Sequence, residues 1–189
     1  DDRFGNPNSS LLIENSTAYV DIPDFNSPNI SISLWHKFEN VGEWGALLAN
    51  DTYPGLYHIM FRGLASNGPE SGAIGSWGDV PGGGFQGATD GLEEGVWYHM
   101  VAVLEGTNRK IYVDTDIAFE SNYSCLYNWD TNQCGPYTND ISPLSSIGNR
   151  PGTTHAAEGR VDDVKIYDRV LSEEEIIALY SKAEAYKKN

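Results

Sequence analysis

Residues 146–180 read SIGNRPGTTHAAEGRVDDVKIYDRVLSEEEIIALY, and this stretch decides the fold. A turn-rich opening with Gly148, Pro151 and Gly152 leads into 160–167, a run with the spacing of a strand. Ser172 followed by Glu175 makes a capping box, and the acidic residues 173–175 lie favourably at the positive end of a helix. Ile176, Leu179, Tyr180 and Ala183 then form one apolar stripe. The spacing predicts a helix over 172–186, with Lys187 and Lys188 suiting its C-terminal end.

Upstream, strand-like runs recur between turn signals at 10–13, 18–22, 46–49, 57–62, 72–77 and 146–148. Asn29–Phe38 is the clearest: Ile30, Ile32, Leu34, His36 and Phe38 alternate with Ser31, Ser33, Trp35 and Lys37. Runs 97–104 and 110–113 read as a hairpin around Glu105-Gly106-Thr107-Asn108. Two long loops remain, one around Pro81-Gly82-Gly83-Gly84 and one over 121–143. The glycine run lacks a following Lys-Ser/Thr and a helix, so it reads as a flexible turn and not a phosphate cradle. The predicted fold is all-β: a two-sheet antiparallel sandwich with a short C-terminal α-helix, one domain over residues 1–189.

Composition agrees. A chain of 189 residues, 40% hydrophobic with 20 Gly and 9 Pro, buries about 70% of its unfolded surface without needing metals or many disulfides. No apolar run is long enough to span a bilayer. The net charge of −15 repels phosphate backbones and anionic lipid heads, so nucleic acid and direct membrane insertion are excluded as expectations. Ca²⁺, other cations and neutral sugars remain as partners. The sequence opens at Asp1 with neither Met nor an apolar leader, and so reads as a mature or excised piece.

Two features point to an extracellular address. Cys125 and Cys134 are the only cysteines; a bridge would staple a small polar loop by about 2–3 kcal/mol, whereas metal binding lacks a Cys-x-x-Cys or nearby His. Five Asn-x-Ser/Thr sequons stand at Asn8, Asn15, Asn29, Asn50 and Asn122.

Several of these stretches resemble one family. NISISLWHKF at Asn29–Phe38 is similar to the FTISAWVKP strand of laminin-G-like, concanavalin-A-like jelly rolls. Residues 95–114, GVWYHMVAVLEGTNRKIYVD, resemble the family's WHHVAVTYDG…LYVDG hairpin, and 146–180 resemble its closing IGGRP…FDGxIDDVRIYNRALSxEEIxALY. Two departures stand out. The family's usual first strand, reading like YxFDGNAxDxSGNGNHG, has no counterpart before Arg3-Phe4-Gly5, and Thr115-Asp116 replaces the usual Gly of the hairpin. The second should alter a turn and leave the fold. The resemblance implies a jelly-roll sandwich, usually non-catalytic, that binds glycans or proteins or acts as a spacer in large surface proteins, often with one Ca²⁺.

The Ca²⁺ expectation falls on Asp162, the family's usual acidic position. Counted with a period of two, Asp162 shares a strand face with Val164 and Ile166, and Asp163 with Lys165 and Tyr167. A carboxylate on an apolar face needs a metal, backbone amides or an arginine, for which Arg160 and Arg169 are nearest in sequence. No Glu-x-Asp-x-x-Glu strand motif is present, Glu93 and Glu94 would face opposite ways, and the four His show no metal spacing, so no catalytic residue is assigned. A sugar would need loop aromatics with polar neighbours. Trp77, Asp79, Trp129, Asp130 and Tyr137 are the candidates, with Trp129 inside the loop that the cysteines would rigidify. Trp35 and Trp97 are assigned to packing. The competing expectation is a structural subunit or spacer of a surface filament or glycoprotein, in which neighbouring copies complete an open sheet edge.

Overall fold

The computed structural model describes the chain except residues 16, 26, 28, 40–43, 51–57, 63–72, 79–83, 88–90, 107, 123–125, 129–132, 136–143, 150, 153 and 187–189. At 24, 25, 44, 50, 58–62, 73–78, 84–87, 121, 126–128, 133–135, 144 and 183–186 only the backbone is described. Two six-stranded antiparallel sheets form the protein. The front sheet runs, in spatial order, β1 (Leu11–Ile13), β14 (Gly159–Tyr167), β3 (Asn29–Phe38), β8 (Trp97–Glu105), β9 (Asn108–Val113) and β10 (Asp116–Asn122). The back sheet runs β2 (Val20–Phe25), β13 (Leu144–Ile147), β4 (Trp44–Asn50), β5 (His58–Arg62), β6 (Ala73–Gly78) and β7 (Gly84–Gly87). A two-stranded ribbon, β11 (Leu126–Asn128) with β12 (Gln133–Gly135), and the helix α1 (Glu173–Tyr186) complete the chain. The expected all-β jelly-roll sandwich with a C-terminal helix is the observed fold.

Alternation in β3 explains the layering. Ile30, Ile32, Leu34 and Phe38 enter the core between the sheets, where they meet Leu47 and Leu48 of β4, Met100, Ala102 and Leu104 of β8, and Ile147 of β13. The opposite face of β3 is buried too: Ser31, Ser33 and Trp35 are each at most 2% exposed. The helix covers it, with Leu171 and Ile176 packed against Val101, Val103 and Tyr112. Small serines let the cover approach closely, and Ser31 Oγ accepts the Leu171 N–H at 3.0 Å. The predicted capping box forms: Glu175 N–H donates to Ser172 Oγ at 3.3 Å, and Ser172 N–H to Glu175 Oε2 at 3.0 Å.

The long loops hold more structure than periodicity suggested. The Gly run ends in β7, and 121–143 contains the end of β10 and both strands of the ribbon. At the Thr115-Asp116 departure the β9–β10 connection is tight, with Asp116 opposite Val113 and Asp114 at φ 57°. The fold is kept across this departure, as expected.

Gly159 marks the tightest approach. At φ 146° an added Cβ would lie 2.1 Å from the Lys37 carbonyl oxygen and 3.0 Å from His36 Cε1. Gly159→Ala is therefore expected to lower unfolding free energy by about 2–4 kcal/mol in denaturant titration, and a loss within experimental error would contradict this close packing.

Candidate functional site

The acidic pair of β14 sits on a bulge. Asp162 pairs with Trp35 and Lys165 with Ser33, while the register between β14 and β3 shifts from Asp162 to Lys165. Asp163 takes φ 49°, left-handed backbone that Asp adopts more readily than most residues. The extra residue reverses the faces expected from a strict period of two. Val161 opposite His36 and Ile166 opposite Ile32 point into the core, whereas Asp162 shares the outer face with Lys165 and Tyr167. Asp162 is thus not on the apolar face, and the premise for a metal there is corrected.

Its counter-charge is neither Arg160 nor Arg169. Arg3 Nη1 donates to Asp162 Oδ2 at 2.9 Å and Nη2 to Asp163 Oδ2 at 3.2 Å. Lys165 Nζ also contacts Asp163 Oδ2. Burial alone would raise the Asp163 carboxyl, but its bonds and charges from Lys165 and Arg3 outweigh this and hold it below the usual carboxylate value. Arg160 instead lies near Glu39 at 3.9 Å, and Arg169 forks onto both oxygens of Glu175 at 2.6 and 2.7 Å. Among the described residues no three His, Cys, Asp or Glu side chains gather as a metal set. With two cations already on the carboxylates, these residues do not fit Ca²⁺ at Asp162.

Trp35 has the packing role assigned to it. It stacks on Tyr180 at 5.8 Å, meets His99 at 5.2 Å, and carries the Arg3 guanidinium 5.0 Å above its ring. Trp97 is half-buried under Lys37, whose Nζ lies 5.6 Å from its ring. Of the sugar-binding candidates, Trp77 lies on β6 of the back sheet, opposite His58 and Phe85. Asp79, Trp129, Asp130 and Tyr137 lie outside the described residues. So does Cys125, whereas Cys134 stands on β12 opposite Tyr127, with Leu126 opposite Gly135.

The sequons differ in setting. Asn8, Asn15, Asn29 and Asn122 are exposed, and Asn50 ends β4. Asn15 Oδ1 accepts the Thr17 N–H at 3.1 Å and its hydroxyl at 2.9 Å. In the Asn29 sequon the hydroxyl belongs to Ser31, which is fully buried. Sequence reasoning missed Arg3, and it placed Tyr180 on the helix's apolar stripe without its partner Trp35. Arg3 lies 159 residues from Asp162, beyond any local pattern, and beside Asp1 and Asp2 nothing in its own stretch marks it out.

Two histidines complete the electrostatics. His99 Nδ1 faces the Asp114 carbonyl at 3.4 Å, which can only accept, so Nε2 accepts the Ser33 hydroxyl at 2.9 Å. Burial drives His99 down to about 4 against the opposing pull of the Asp114 carbonyl. Inside the core, burial drives His36 down to about 3, opposed by its bond to the Ala157 carbonyl. Glu93 and Glu94 are exposed ahead of β8, and residues 173–175 open the helix, so neither group forms a facing pair of carboxylates.

The class follows from this geometry: two antiparallel sheets over one core, the front one covered at β3 and β8 on its outer side by a C-terminal helix and an N-terminal segment. The sequence matches the family model of the concanavalin A-like lectin/glucanases superfamily over residues 14–177, and the chain belongs to that superfamily. No curated protein matches it significantly. Among solved structures it is similar to domain 4 of AbnA, a GH43 extracellular arabinanase from Geobacillus stearothermophilus in complex with arabinotriose. That match has 17% identity, a TM-score of 0.63, and covers 90% of this chain and 76% of the other. Trypanosoma rangeli sialidase is similar at 16% identity and TM-score 0.64, over 93% of this chain but only 28% of the sialidase. A native heptameric SAP-like pentraxin from Limulus polyphemus shares 11% identity at TM-score 0.59, covering 93% and 78%. These likenesses concern the fold.

The histidines set an acid limit. Both are neutral when folded and their folded values lie below the unfolded one near 6.5, so their contribution is full above pH 6.5 and is lost as pH falls towards about 4. Across that window stability is expected to fall by up to about 1.4 kcal/mol per pH unit for each histidine. Denaturant midpoints in a pH series check this, and His99→Gln should remove about half of the slope; an unchanged slope contradicts it.

Proposed function

We propose that this domain is a non-catalytic carbohydrate-binding or adhesion module of a larger extracellular protein, and that its ligand is held by Trp77, Trp129 and Tyr137 with Asp79 and Asp130. One observation carries this reading. The outer side of the front sheet is covered at β3 and β8 by α1 and the N-terminal segment, so Trp35 and Tyr180 are packing residues there. Of the candidate aromatics, Trp77 stands on β6, in the other sheet from that cover. Stacking of such rings on a pyranose face, with carboxylates receiving hydroxyl protons, is the chemistry a neutral glycan requires. An arabinotriose complex of a domain with this fold supports the substrate class.

A disulfide between Cys125 and Cys134 of β12 would close the chain between them into a loop and pre-order its residues, Trp129 and Asp130 included. That bridge, the sequons and the acidic composition support an extracellular address. Among the described residues no helix is long and apolar enough to cross a membrane.

A glycan array with the chain in millimolar Ca²⁺ and again in chelator tests the reading. Saturable binding to a related set of sugars is expected, at least tenfold weaker for Trp77→Ala, and turnover of a polysaccharide would contradict the non-catalytic assignment. A second reading, a structural subunit pairing with its neighbours, is favoured by the edge strands: β1 and β10 carry Leu11 at 39% and Ile117 at 46% exposure. A blank array together with concentration-dependent polymers in size exclusion would establish that reading in place of the first.

A further inference from the structure

Residues 1–10 lie as a strap on the outer face of the front sheet. Asp2 shapes it: Oδ1 accepts the N–H groups of Phe4 and Asn6, each at 2.9 Å, and Oδ2 accepts the Asn6 side-chain amide at 2.9 Å. The turn presents Arg3 inward. Its side chain is only 5% exposed, with the guanidinium between the Phe4 ring at 4.4 Å and the Trp35 ring at 5.0 Å.

The guanidinium is the centre of a charge cluster. Its two terminal nitrogens hold one oxygen each of Asp162 and Asp163, whose side chains are 15% and 37% exposed. Lys165 supplies a second cation to Asp163. Across Trp35 lie the neutral His99 and Tyr180. Nε of Arg3 is buried without a partner among the described residues. Two neighbouring carboxylates on a bulge, one of them half-buried, call for a counter-ion close by. A divalent cation would answer that demand in one way; a planar fork on a tethered chain answers it in another.

We propose that Arg3 is a built-in cation that stands where a divalent ion would otherwise balance Asp162 and Asp163, so that the strap and not Ca²⁺ locks the β14 bulge. Arg3 is then a positioning residue for the bulge and for Trp35. Its removal leaves two carboxylates with one remaining cation, and removal of a carboxylate leaves Arg3 over an aromatic pair with half its partners.

A four-variant cycle tests this: the unaltered chain, Arg3→Gln, Asp162→Asn and the double variant, each unfolded in denaturant with chelator and with millimolar Ca²⁺. The unaltered chain should show no Ca²⁺-dependent shift. Each single change should lower the folding equilibrium constant roughly tenfold to a hundredfold, and the double change should cost much less than the product of the two. Additive losses would overturn the proposal, because Arg3 would then act through packing alone. A saturable rise in the stability of the unaltered chain with Ca²⁺, lost in Asp162→Asn, would also overturn it; this arm needs no Arg3 variant to fold. Arg3→Lys, which keeps the charge and loses the fork, should lie between the unaltered chain and Arg3→Gln.

Discussion

The burial of β3 on both faces is the constraint on which the rest of the structure depends. One set of its side chains fills the space between the sheets, and the other meets a helix and an N-terminal strap. From Ile30 to His36 the strand has no solvent side, so its polar side chains turn to protein partners, His36 Nδ1 excepted among the described residues. Ser31 takes the Leu171 N–H, Ser33 gives its hydroxyl proton to His99, and His99 stays neutral because of where it lies. The acid sensitivity expected of the domain follows from this burial.

The same constraint explains why β14 carries a bulge. A strict strand would send Asp162 towards the core beside Ile166 or send Ile166 outward beside Asp162. One residue in left-handed backbone resolves the conflict: Val161 and Ile166 both face inward while Asp162 and Lys165 both lie on the outer face. Charge pairing on the outer face and apolar packing on the inner face are satisfied together, at the cost of one strained φ at Asp163.

Much of this was legible in the sequence. The bounds of β3 were readable from its alternation, and the start of α1 from the Ser172–Glu175 box, since both signals are local and confirmed by local bonds. β10 was hidden because Asp116 and Glu120 dilute the apolar alternation of Ile117 and Phe119, and β7 because four residues after a glycine run carry too little pattern. The bulge was illegible to a count by twos, which carries one unpaired residue into every later assignment. Arg3 was illegible for a different reason: its partners lie at the far end of the chain, and only the fold brings them together. Of the sugar-binding candidates, the strand placement of Trp77 is described, while the loop positions 79, 129, 130 and 137 lie outside the described residues.

The cover over β3 and β8 supports the proposal of a ligand site on the back sheet and the loops beside it, in a superfamily whose members include lectins and glucanases. That support rests on β3 being closed from both sides, and amide hydrogen exchange tests it most directly. The amides of β3 and β8 should exchange only through global unfolding, with the same free energy as denaturant titration, while those of the edge strands β1 and β10 exchange sooner. Exchange of β3 as fast as that of the edge strands would contradict the double cover and the account built on it.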